Sequence, residues 1–145
     1  MNRIRFAIAA AALAALAGCS SLQGMSDAVP APAGQIYGKT RPAEGDARLT
    51  LYRINDQAGS LCYFTVMVDG ERVARLFVKE TAVVYVKPGA RRISVTLDWS
   101  GKGFCNWPQD HCEKQAFHTE AALKAGGDHT FQFGHKDLKF YTIFE

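Results

Sequence analysis

Four cysteines, four histidines and one tryptophan-bearing loop are the residues of this 145-residue chain whose types can do chemistry. A thiolate can attack a carbon centre, ligate a soft metal or join a second thiol. Cys105 and Cys112, with His111 and His118 nearby, offer four donors of the kind that Zn²⁺ takes in tetrahedral array. Their spacing matches no zinc knuckle, so neither a metal nor another cofactor is expected. His129 and His135 flank a strand-like run and read as solvated surface histidines. Gly-x-Ser-x-Gly, His-Glu-x-x-His and the phosphate-binding Gly-x-x-x-x-Gly-Lys-Ser/Thr are all absent from the sequence, and no catalytic residue is assigned. Trp99, Phe104 and Trp107 surround the cysteine-bearing loop, residues 100–113. Such rings can stack on a sugar or enter a partner's groove. Trp99 is expected in the core, leaving Phe104 and Trp107 as a candidate binding loop. Arg91-Arg92 could meet phosphate groups, but after Pro88-Gly89 the pair reads as a solvated turn.

Cys19 stands apart from the other thiols. Met1-Asn2-Arg3-Ile4-Arg5 is a cationic start, and Phe6 to Ala17 is a twelve-residue apolar run. A helix of that length is too short to cross a bilayer, so residues 1–18 read as a secretory signal peptide. The run ends Leu16-Ala17-Gly18-Cys19-Ser20, which resembles the lipobox of bacterial lipoproteins. That resemblance implies a diacylglyceryl group on the Cys19 thiol and cleavage between Gly18 and Cys19. It also implies a membrane attachment, which several acyl chains on one residue make stable. Ser20 and Ser21 follow, where an Asp would imply inner-membrane retention, so the outer membrane facing the periplasm is the expected location. Behind an export signal, cysteines meet an oxidising medium. The expected bridge is Cys105–Cys112, closed across a loop rich in Gly, Asn and Pro; the rival joins Cys62 to one of those two cysteines and ties a strand to the loop. Cys62, in step with Phe64, Val66 and Val68, is expected to stay a buried free thiol.

Charge narrows the partners. Arg3 and Arg5 belong to the leader, which leaves 15 of the 17 basic residues against 14 acidic ones. So balanced a chain has no basic field to draw nucleic acid. No second apolar run approaches eighteen residues, the length of a membrane-spanning helix. Residues 19–45 are rich in Ala, Pro, Gly and Ser and read as a flexible tether after the lipidated cysteine. Gln35-Ile36-Tyr37 could add an edge strand.

The elements that must position these residues begin at residue 46 and run to residue 145. Leu49 and Leu51 alternate with Arg48, Thr50 and Tyr52, the period of a strand. Further strands are read at 61–68, 72–78, 81–86, 91–99, 114–123, 129–133 and 138–144. Asp69-Gly70 joins two of them with the strongest local hairpin signal, because a type I′ turn needs positive φ at both central residues. Lys87-Pro88-Gly89 and Gly126-Gly127 mark further turns. In the run 91–99, Ile93, Val95, Leu97 and Trp99 share one face, and Arg92, Ser94, Thr96 and Asp98 the other. Residues 120–125 have helical propensity but read as strand then turn. Seven to eight short strands argue an all-β fold, one small antiparallel β-sandwich of the immunoglobulin-like kind.

Ala47 to Arg53, Val66 to Val73, Tyr85-Val86-Lys87-Pro88-Gly89 and Leu123-Lys124-Ala125-Gly126 occur in an order and spacing similar to a family of bacterial lipoproteins with a PEGA-like domain. The resemblance implies a small β-sandwich over residues 42–145 and supplies no catalytic residues. The cysteine-bearing loop departs from its pattern. The expectation is a lipid-anchored, non-enzymatic binding or scaffolding module of the cell envelope, with another envelope protein or a glycan as partner. An accessory subunit of a secretion or surface assembly, and a small metal-binding protein or hydrolase, are the alternatives.

Overall fold

The computed structural model describes residues 25–55, 61–99, 105, 107–136 and 139–144, with the backbone alone from residue 135 onward. The described strands are β1 (Val29–Pro30), β2 (Ala47–Arg53), β3 (Phe64–Val68), β4 (Glu71–Leu76), β5 (Glu80–Val86), β6 (Gly89–Leu97), β7 (Phe117–Leu123), β8 (Asp128–Lys136) and β9 (Lys139–Phe144). Among the described residues one short α-helix, α1 (Gln109–Lys114), precedes β7. The strands form two sheets, in the orders β1-β5-β2-β8-β9 and β4-β3-β6-β7. The fold is all-β. The four-stranded sheet is antiparallel throughout, whereas the five-stranded sheet is mixed: β1 runs parallel to β5, and β2 parallel to β8.

Alternation places the core. Leu49 and Leu51 from β2, Phe64 and Val66 from β3, Ile93 and Val95 from β6, and Phe131 and Phe133 from β8 are fully buried. They meet between the sheets, where Phe64 and Phe133 stand edge to face with centroids 6.4 Å apart. Two ends result. The upper end is where β2, β4, β6 and β8 finish. The lower end carries the β3–β4, β5–β6 and β7–β8 turns. Asp69 and Gly70 take φ of 52° and 85°, as the hairpin reading requires. The segment after β7 turns through Gly126 at φ 64° without forming a helix.

Residues 29–45 depart from the flexible tether expected of them. Val29 and Pro30 pair in register with Glu80 and Thr81 at the edge of β5, and Ile36 bridges Ala74 at the edge of β4. Gln35 is buried, donating to Arg75 O at 3.0 Å and to Glu80 Oε2 at 2.7 Å. The segment is a strap that closes one side of the sandwich from the upper end to the lower. Composition misled here because the strap uses the domain's hydrogen bonds and needs no apolar periodicity of its own. Gly38 marks its tightest point: a Cβ there would sit 3.0 Å from Val84 Cγ1 and 3.1 Å from Val73 Cβ.

Candidate binding face on the four-stranded sheet

The outer face of the four-stranded sheet brings together a row of polar and charged side chains. Thr65 and Met67 come from β3, Arg72 and Arg75 from β4, Ser94 and Thr96 from β6, and His118 from β7. Asp98 follows β6. A register shift between Val66 and Met67 puts both arginines on this outer face although they are three residues apart. Sequence alternation left Ser94, Thr96 and Asp98 facing solvent, but all three are buried. Over β6 the cause is α1, which lies against the strand and anchors there by the Thr96 hydroxyl donating to Cys112 O, while Thr65, Arg72 and Arg75 close around Asp98.

Asp98 is the centre of the upper half, with a side chain only 1% exposed. Thr65 Oγ1 donates to its Oδ1 at 2.8 Å, while Arg72 Nη2 and Arg75 Nη1 each stand 3.7 Å from its oxygens. The cations in turn lie on aromatic faces. Arg72 sits 4.3 Å from the Tyr37 ring and 5.3 Å from the Trp99 ring, and Arg75 sits 4.6 Å from Tyr63. Trp99, expected in the core, is instead half-buried in this ladder. Removing a carboxylate held between two guanidinium groups would leave uncompensated charge. Asp98 is thus the electrostatic keystone of the face.

Below it opens a cleft of about 250 Å³ lined by Met67, Gly70, Arg92, Ser94, Glu113, Ala116 and His118. Ser94 Oγ and His118 Nδ1 share a hydrogen bond of 2.7 Å, the hydroxyl donating when the imidazole proton sits on Nε2. A hydrolytic triad needs the base's second nitrogen oriented by an acid. Among the described residues none bonds His118 Nε2. The cleft presents one guanidinium, one carboxylate and one imidazole, a set suited to holding a small ligand that bears both charges. Arg91, by contrast, is committed locally: it donates to Lys87 O, Pro88 O and Asp69 Oδ2. Only Arg92 of the pair faces the cleft.

The cysteine pairing expected from sequence is corrected. Cys62 bonds Cys105, with Cα atoms 5.3 Å apart, and Cys112 is the free, buried thiol. Pro108 starts α1, and one helical turn swings Cys112 against β6, away from Cys105. Burial, then the negative charges of Asp98 and Asp110, push the Cys112 thiol up, so it is a poor nucleophile. Cys62 lies just before β3 rather than on its inward face, at the point where the chain leaving β6 returns.

The remaining candidates are scattered. Trp107 is 47% exposed and stacks on His111 with centroids 4.9 Å apart, while Phe104 lies outside the described residues. His111 shares a hydrogen bond with Gln115, His118 pairs with Ser94, and Cys105 is in the disulfide, so the four suggested zinc donors do not converge. Among the described residues no group of three His, Cys, Asp or Glu does. His129 is buried, contrary to expectation; its Nε2 accepts the Lys124 N–H at 3.0 Å and ties the β7–β8 turn. The side chain of His135, and residues 18 and 19, lie outside what the structure describes. No described helix is long and apolar enough to cross a membrane. Comparison with known protein families and with curated proteins finds no match to this chain.

Proposed function

We propose that the chain is a lipoprotein of the bacterial envelope, anchored through Cys19 at the periplasmic face of the outer membrane, and that its sandwich is a non-enzymatic binding or scaffolding module. The observation that carries the reading is Leu16-Ala17-Gly18-Cys19 behind a cationic start and a twelve-residue apolar run. The Cys62–Cys105 bridge supports it, because such bonds persist where the medium is oxidising. The Arg92, Glu113 and His118 cleft is the surface on which a peptide or glycan of the envelope would be held. Cys19→Ser decides the anchor: the variant should incorporate no labelled fatty acid and accumulate as uncleaved precursor. Normal maturation of that variant sinks the reading.

A second reading, an accessory subunit of an envelope assembly, is favoured by β7. Among the described residues it pairs only with β6, which leaves its other side open to a partner strand. Crosslinking from native membranes separates the two, since a stoichiometric protein partner bonded along 117–123 favours assembly.

A further inference from the structure

We infer that the upper end of the sandwich rests on the bilayer, with Trp107, Leu61 and Val29 as its interfacial contacts. The inference builds on the lipid anchor proposed above and adds an orientation to it. Chain length supplies the first argument. Asp27 pairs with Lys79, whose N–H donates to Arg53 O, and Val29 N–H donates to Lys79 O. The described chain therefore enters at the upper end. Only five residues lie between Cys19 and Met25, and the six steps fully extended span at most roughly 20 Å. A tether of the length first expected would let the domain tumble freely. With the strap docked from residue 29, the upper end stays within that reach of the anchor.

The second argument is where the apolar surface lies. Four large apolar side chains stand exposed among the described residues: Val29, Tyr37, Leu61 and Trp107. Tyr37 is already engaged by Arg72. Val29 opens β1 beside Lys79, Leu61 precedes Cys62, whose carbonyl accepts from Arg53, and Trp107 follows Cys105 by two residues. All three sit at the upper end. The lower end carries exposed Lys39, Lys87, Arg92 and Lys124 and none of these three apolar side chains, while the upper end holds the Asp27–Lys79 pair beside Val29. Trp favours the membrane interface, where its ring is buried and its N–H stays wet. The occupant that chain length and polarity select is therefore the lipid surface to which Cys19 is attached.

The test uses the mature, acylated full chain purified from membranes and reconstituted into phosphatidylethanolamine–phosphatidylglycerol vesicles, with and without lipids brominated along their acyl chains. Trp99 and Trp107 are the only tryptophans. Brominated lipid should quench wild-type emission at least about twofold more than that of Trp107→Phe, where Trp99 alone reports. Acylated protein that floats with the vesicles but shows equal quenching in the two forms overturns the docked orientation and leaves the anchor standing. Protein that neither carries acyl chains nor floats overturns the anchor, and the orientation with it.

Discussion

The two ends of the sandwich are held by different means. At the lower end the restraints gather on the turns. Asp69 and Gly70 turn the β3–β4 hairpin, and Asp69 accepts from Arg92 N at 2.9 Å and from Arg91. Asp46, its side chain 1% exposed, is bonded by Lys39 and by the Ala43 N–H and lies 3.5 Å from Lys87. At the upper end the restraints reach across the chain. Cys62 bonds Cys105 at a separation of 43 residues, and buried Arg53 lies 3.9 Å over the Phe64 ring while donating to Cys62 O. Asp98 joins β3 and β4 to the end of β6. One end is closed on its turns, the other by a disulfide and buried ion pairs. The largest mutational losses should therefore come from the upper end.

The disulfide sets the scale. In the chain-entropy account, a bridge closing a loop of that length restricts the unfolded chain by about 4 kcal/mol. The double substitution Cys62→Ala, Cys105→Ala should lower unfolding stability in urea by roughly that much. A non-reducing peptide map of the wild type should show 62 joined to 105, with Cys112 reacting with a thiol reagent only after unfolding. A joined 105–112 peptide would return the pairing to the one that local spacing suggests.

Asp98→Ala comes next. It leaves Arg72 and Arg75 without their shared carboxylate and Thr65 without its acceptor, for a loss of about 3 kcal/mol. Asp98→Asn should recover part of it by keeping an acceptor for Thr65. Equal losses in the two variants would mean that the Thr65 acceptor contributes nothing, whereas an Asp98→Asn variant as stable as wild type would mean that charge is not what the site supplies.

This contrast also explains what could be read from the sequence. The lower end was legible because its signals are contiguous: Asp69-Gly70, Pro88-Gly89 and Gly126 each specify a turn within a few residues. Strand positions followed from alternation, and the all-β class followed from the strands. The upper end was not legible. Cys62 and Cys105 meet only once β3 and β6 are paired, and local spacing points to Cys112 instead. Ser94, Thr96 and Asp98 alternate like a solvated face, and nothing within β6 announces the helix that covers them. Likewise the Ser94–His118 pair needs the β6–β7 register, across 24 residues.

Acid should loosen the lower end, where the carboxyls of Asp46 and Asp69 are held below their ordinary value, and leave the disulfide intact. Hydrogen bonds from Lys39 and the Ala43 N–H hold the Asp46 carboxyl at about 2, below its ordinary 3.8. A carboxyl depressed in the folded state contributes stability above its unfolded value and loses it as pH falls through the folded one. Wild-type stability should thus decline between about pH 4 and pH 2. Asp69, lowered by the Arg92 N–H and Arg91, contributes with the same sign. Asp46→Asn should be less stable than wild type at neutral pH, with the difference narrowing across that window. A difference that stays constant down to pH 2 would remove Asp46 from the account.

The smallest effect tests whether lower-end turns depend on backbone conformation alone. Gly70 has φ 85° and nothing within 4 Å of the position a Cβ would take. Alanine there meets no neighbour, so any cost is the strain of positive φ in an L-residue, about 1 kcal/mol. Gly34 is the matched control. It is equally open, but its φ lies outside the left-handed region, so Gly34→Ala should be neutral or slightly stabilising through the unfolded chain. The pair can be read by urea unfolding on otherwise identical protein. If both alanines cost the same, the hairpin's preference for glycine is not conformational. If only Gly70→Ala costs, the lower end owes its shape to φ at single turn residues, whereas the upper end owes its shape to the Cys62–Cys105 bond and the Asp98 cluster.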